Sequence, residues 1–113
     1  MFDFGGKTAL ITGASYGLGE EFAYAFAEAG ADLILTARSE ELLQAVAKKC
    51  RESGSKVTVV PGDIAIERDV QSVIEAGLAA HGQIDVLINN AGIADARGVA
   101  AEQFDAETFN RIL

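Results

Sequence analysis

Four short apolar runs punctuate the chain: Thr8 to Thr12, Leu33 to Ala37, Val57 to Val60 and Ile84 to Ile88. Each has strand length and is rich in β-branched residues or leucine. None alternates cleanly between apolar and polar positions, which is the pattern of strands buried on both faces of a parallel sheet. Helical periodicity fills the gaps. Leu18, Phe22, Ala25, Phe26 and Ala29 are spaced for one helix face, with Gly30 as its stop. A second helix is expected to start after Ser39, an N-cap residue, with Glu40 and Glu41 in its first turn and Lys48, Lys49 and Arg51 before Gly54. A third carries Val70, Val73, Ile74 and Leu78 and stops at Gly82; its internal Gly77 should cost about 1 kcal/mol relative to alanine.

Strands and helices therefore alternate, and right-handed crossovers turn that order into a doubly wound parallel α/β sheet. Pro61 falls just after the third strand, where no ladder donor is required. A fourth helix is expected near the C-terminus, capped by Asp105 and stapled by Phe104 and Phe109, with Ile112 and Leu113 continuing its apolar face. That helix breaks off in mid-pattern, so the reading expects one domain, residues 1–113, truncated.

Composition sets outer limits. The 113 residues suffice for one domain, and half of them are apolar. No apolar run approaches the ~18 residues of a membrane-spanning helix. Asp3 stands where an export signal would carry a base, so no such signal is read. Nine Lys and Arg against seventeen Asp and Glu give a net charge of −8. That balance argues against nucleic acid or an anionic membrane as partner, while leaving room for one small anion in a local site. Cys50 is the only cysteine and His81 the only histidine, which leaves no internal disulfide and no zinc cluster. The expected compartment is the cytoplasm. Cys50 lies four residues after Val46 and reads as a packing residue; His81 reads as a helix-end residue rather than a base.

The chemistry concentrates directly after the first strand, in Thr12-Gly13-Ala14-Ser15-Tyr16-Gly17-Leu18-Gly19. A strand that turns through glycines into a helix aims backbone N–H groups and the positive end of the helix dipole at one spot, which suits phosphate. The spacing G-x-x-x-G-x-G differs from the G-x-G-x-x-G dinucleotide fingerprint. A P-loop is excluded because Glu20, not Lys, follows the last glycine. A phospho-receiver domain would want acidic residues where Gly13-Ala14-Ser15 stand. At the end of the fourth strand comes Asn89-Asn90-Ala91-Gly92.

On these motifs the chain resembles the single-domain branch of the short-chain dehydrogenase/reductase family, which carries T-G-x-x-x-G-x-G and N-N-A-G at these places. The epimerase-like branch, with G-x-x-G-x-x-G, does not match. The resemblance extends over the whole sequence and includes Gly62-Asp63 and Gly82-Gln83-Ile84-Asp85. It implies a Rossmann-like sheet of order 3-2-1-4 and a dinucleotide held by Gly13, Ser15, Tyr16, Gly17, Leu18, Gly19, Arg38, Ser39, Asp63, Ile64, Asn90, Ala91 and Gly92. It also implies that Asp63 accepts from the adenine amino group; the alternative is a turn aspartate that caps the next segment.

Arg38 bears on cofactor choice. An NAD-preferring site places a carboxylate at the end of the second strand, where Ala37 stands here. Arg38 can pair bidentately with a 2′-phosphate, so NADP(H) is expected to be preferred, with NAD(H) possible. The alternative is an exposed turn arginine paired with Glu40 or Glu41. Tyr16 occupies a loop that in NADP-preferring relatives often supplies a second base. Asp95 and Arg97 follow Asn-Asn-Ala-Gly without assignable chemistry, and Asn110 does not match the family's catalytic asparagine.

The family's catalytic Ser and Tyr-x-x-x-Lys are not found: Tyr16 and Tyr24 are the only tyrosines, and Glu20 and Glu28 stand four residues after them. Two readings follow. One is the cofactor-binding part of an NADP(H)-dependent oxidoreductase acting on a small carbonyl or secondary alcohol, inactive alone. The other is a short, non-catalytic nucleotide-binding or interaction module. The apolar fourth strand lacks the Lys, Pro or bulge of a protected edge, so either further protein or a second copy, as in a homo-oligomer, is expected to cover it.

Overall fold

The computed structural model describes residues 3–90. In chain order these form β1 (Thr8–Thr12), α1 (Gly17–Glu28), β2 (Asp32–Thr36), α2 (Glu40–Glu52), β3 (Val57–Val59), α3 (Glu67–His81) and β4 (Val86–Ile88). The expected fourth helix and its residues Phe104, Asp105, Phe109 and Asn110, together with Asp95 and Arg97, lie outside the described residues. All strand pairings are parallel, in the order β3-β2-β1-β4. Thr8 to Thr12 pair in register with Asp32 to Thr36.

The unbroken apolar runs are explained by two cores, one on each face. Ala9, Ile11, Leu33, Leu35 and Val57 point to the side covered by α1 and α2. Leu10 and Ile34, one residue out of phase, point to α3 and meet Val73 and Ile74. Strand side chains alternate between faces, so a strand buried on both has no polar positions to show.

The helices differ from expectation in one respect. The residues of α1 that are buried are Gly19, Ala23 and Ala27, not the face of Leu18, Ala25 and Ala29; Leu18 is 56% exposed. Phe22 and Phe26 flank this small-residue stripe and are partly buried. Small side chains let the helix axis approach the sheet, and the larger ones fill the rim of the contact. Gly77 in α3 is a second close approach: a Cβ there would run into the Ile34 side chain. Helix α2 follows its sequence signals, with the Ser39 hydroxyl accepting from Leu42 N at 3.2 Å and Leu43, Val46, Ala47 and Cys50 buried. Burial pushes the Cys50 thiol up to about 11, which keeps it a neutral packing group. Gly82 ends α3 in the left-handed conformation.

The end of the sheet where the strands begin is closed by side chains bonded to backbone. Asp85 Oδ2 accepts from Thr8 N at 2.8 Å and from Gln83 Nε2 at 2.7 Å, and Gln83 also donates to Gly6 O. Ser55 donates to Ala31 O, Asp32 accepts from Lys56 N, and Lys56 Nζ reaches Ala80 O. His81 Nε2 lies 2.9 Å from Thr58 Oγ1.

Candidate functional site

At the opposite end, where the strands finish, a cleft of about 420 Å³ opens between the glycine-rich loop, the start of α2 and the segment after β3. Gly13 and Gly17 have φ of 60° and 61°, the left-handed region that glycine enters at little cost. These two residues turn the chain from β1 into α1. Ala14 N donates to Thr36 O at 3.2 Å, which ties the loop to the end of β2. Tyr16 is the N-cap of α1 and its side chain makes no capping bond. The first-turn N–H groups of a helix have no intrahelical acceptor, so this terminus faces the cleft with uncompensated donors.

Asn90 fastens the other side of the loop. It is buried, its Nδ2 donates to Gly13 O at 3.2 Å, and its backbone N donates to Thr12 Oγ1 at 3.0 Å. Thr12 Oγ1 in turn donates to Asn89 Oδ1 at 3.1 Å. Gly19 packs beneath this clip: a Cβ there would overlap the Gly13 carbonyl and approach Asn90 Nδ2 to 2.8 Å.

Of the residues named from the sequence, Gly13, Ser15, Tyr16, Gly17, Leu18, Arg38, Ser39, Asp63, Ile64 and Asn90 line this cleft together. Gly19 is not in the lining; its place is under the loop, where it permits contact between parts of this chain. Ala91 and Gly92 lie outside the described residues. Leu42 and Gly62 also line the cleft and were not foreseen. Leu42 had a signal, an apolar residue on the outward side of α2, where it is 48% exposed. The role of Thr12 in the clip had none.

Two alternatives left by the sequence meet the geometry here. Asp63 lines the cleft and also stabilises its own turn, since Oδ1 accepts from Ala65 N and its backbone N donates to Asp69 Oδ2, both at 2.9 Å. Arg38 is exposed at the cleft wall, and neither Glu40 nor Glu41 pairs with it.

A glycine turn into an open helix terminus, at the finishing ends of a parallel sheet ordered 3-2-1-4, fits a dinucleotide pyrophosphate. It defines a Rossmann-type cofactor-binding fold. The chain belongs to the short chain dehydrogenase family, whose model matches residues 7–113. It is 46% identical over 93 residues to 11-beta-hydroxysteroid dehydrogenase-like 4A of Arabidopsis thaliana, covering 81% of this chain and 31% of that protein. A metagenomic short-chain oxidoreductase solved in complex with NADP superposes with a TM-score of 0.74 at 37% identity, over 79% of this chain and 40% of that one. A short chain dehydrogenase/reductase from Burkholderia phymatum in complex with NAD gives 0.84 at 32%, over 100% and 46%. The chain spans about a third of the length of the curated relatives it matches.

Among the described residues no helix is long and apolar enough to cross a membrane, and no group of His, Cys, Asp or Glu could hold a metal ion.

Proposed function

We propose that this chain is the cofactor-binding part of an NADP(H)-dependent short-chain oxidoreductase that moves hydride between nicotinamide and a small carbonyl or secondary alcohol. When bound, the nicotinamide supplies the hydride; the residues here supply its hold. The helix terminus at Tyr16 and Gly17 would take the pyrophosphate, Asp63 and Ile64 the adenine end, and Asn90 would keep the loop in shape. Gly19 serves through the loop rather than by contact. The carbonyl chemistry is assigned to residues other than these, because neither tyrosine of this sequence has a lysine four positions on.

The observation that carries the cofactor choice is the pair Ala37 and Arg38. Both line the cleft, and the first offers no carboxylate to repel a 2′-phosphate while the second has no acidic partner in α2. A charge-assisted pair of this kind contributes roughly 1.5–3 kcal/mol, or one to two decades in affinity. Fluorescence titration of the full-length protein with NADPH and NADH tests the reading. NADPH is expected to bind more tightly, Arg38→Ala to remove most of the difference, and Ala37→Asp to shift it toward NADH. Equal affinities in the unaltered protein would sink it. A buried free cysteine accords with a cytoplasmic setting, and a homo-oligomer is the proposed assembly, to be checked by sedimentation.

A further inference from the structure

Among the described residues β3 ends the sheet and pairs only with β2. Its ladder shows which way each backbone group points. Lys56 O accepts from Leu33 N, Val60 N donates to Leu35 O, and Gly62 N donates to Ala37 O. Backbone groups alternate in direction along a strand, so Val57, Val59 and Pro61 turn theirs outward, where a further strand would pair. At one end of that row the acceptor is taken: Arg51, in the last turn of α2, donates from Nη2 to Val57 O at 2.8 Å. At the other end the donor is missing, since Pro61 has no N–H. Val59, between them, is the one residue of the row with both groups left.

These two devices meet in one pairing. If a second copy approached across a two-fold axis, β3 would lie antiparallel to its twin with Val59 opposite Val59. In that register Val57 of one copy stands opposite Pro61 of the other, and the bond that would extend the ladder runs from the N–H of position 61 to the carbonyl of Val57. Pro61 withholds its donor and Arg51 occupies its acceptor. We propose that Arg51 and Pro61 hold the outer edge of β3 shut against a second copy of this chain, by denying the same intermolecular hydrogen bond from both sides. Natural edge strands are blunted by charged side chains and proline, and β3 has both where the apolar β4 has neither. Assembly of copies is thereby left to other surfaces. The proposal is independent of the cofactor reading.

The test is the sedimenting mass of the full-length protein over a range of concentrations, with circular dichroism as the check of folding. Arg51→Met keeps the aliphatic stem and removes the donor to Val57 O; Pro61→Thr restores the missing N–H. Each single variant leaves the bond denied from the other side and is expected to sediment as the unaltered protein does. The double variant is expected to reach twice that mass as concentration rises. Adding Val59→Pro, which removes the central donor of the row, is expected to reverse the association. A folded double variant of unaltered mass, or an association that Val59→Pro does not reverse, would overturn the proposal. Should the double variant not fold, a mixture of the two single variants decides. One copy then supplies the acceptor and the other the donor, and the pair is expected to associate where neither does alone; a mixture that sediments as its separate components would overturn the proposal as well.

Discussion

The two ends of the sheet are built on opposite principles. Where the strands begin, polar groups are consumed internally: Asp85 accepts from Thr8 N and Gln83, Ser55 donates to Ala31 O, and Asp32 accepts from Lys56 N. Where they finish, donors are left facing outward. Tyr16 leaves its helix uncapped, Arg38 has no acidic partner from α2, and exposed Leu18 and Leu42 border open space. The clip of Thr12, Asn89 and Asn90, like the bonds of Ala14 to Thr36 and of Asp63 to Asp69, fixes the loops there without covering them. Satisfied polar groups stabilise a fold, and unsatisfied ones near a cleft are what a ligand can complete. Stability and binding should therefore respond separately to substitutions at the two ends.

The sharpest way to break that separation is Gly19→Val, since Gly19 serves both. Its side chain would drive the loop away from Gly13 and Asn90. More than one charge-assisted bond to pyrophosphate would go, each about 1.5–3 kcal/mol, so dinucleotide affinity is expected to fall on the order of a hundredfold or more. Titration with NADPH measures this, and circular dichroism establishes that the protein remains folded. An unchanged affinity in a folded Gly19→Val protein would remove the loop from the site. Next in size, Asp85→Ala should lower stability by about 1–3 kcal/mol in urea unfolding, because Thr8 N loses its acceptor, while cofactor affinity stays put. A matching loss of affinity would show that the two ends are not independent.

The smallest effect concerns His81. Burial, then the nearby Lys56 charge, lowers its pKa below the ordinary 6.5, with Asp32 opposing. One ring nitrogen faces Thr58, while Nδ1 is buried without a partner, so a second proton is poorly received. Between the lowered value and 6.5 the unfolded chain binds more protons than the folded one. Stability should accordingly fall slightly as pH drops through 6.5, level off below the folded value, and be flat above. Urea midpoints across that range, compared with His81→Asn, measure it; a pH profile unaltered by the substitution would contradict the assignment.

Much of this was legible in the sequence, for reasons that can be named. The strands announced themselves because burial on both faces leaves uninterrupted apolar runs, and Ser39, Gly82 and Gly13 mark boundaries by chemistry that acts within a few residues. The face of α1 was misread because large apolar residues were counted as core. Helix and sheet meet instead through Gly19, Ala23 and Ala27, whose small size is the qualification. Likewise Gly77 reads as a local penalty until Ile34 is seen beside it. β2 begins and ends one residue earlier than expected, and β3 and β4 are shorter than their apolar runs. The clip was invisible because its partners come from opposite ends of the described chain, and nothing in a threonine's own neighbourhood foretells an asparagine that distant.

That distance has a consequence for synthesis. The bond from Asn90 to the Gly13 carbonyl spans 77 positions of sequence, and the bond to Thr12 spans 78. A ribosome adding about 5–20 residues per second makes the glycine loop several seconds before it makes the residue that fixes its shape. Closing so long a loop carries an entropic cost, which the pairing of β4 with β1 helps to offset. The nascent chain therefore holds the glycine-loop sequence well before it holds the clipped loop, whose completion waits on the emergence of Asn90.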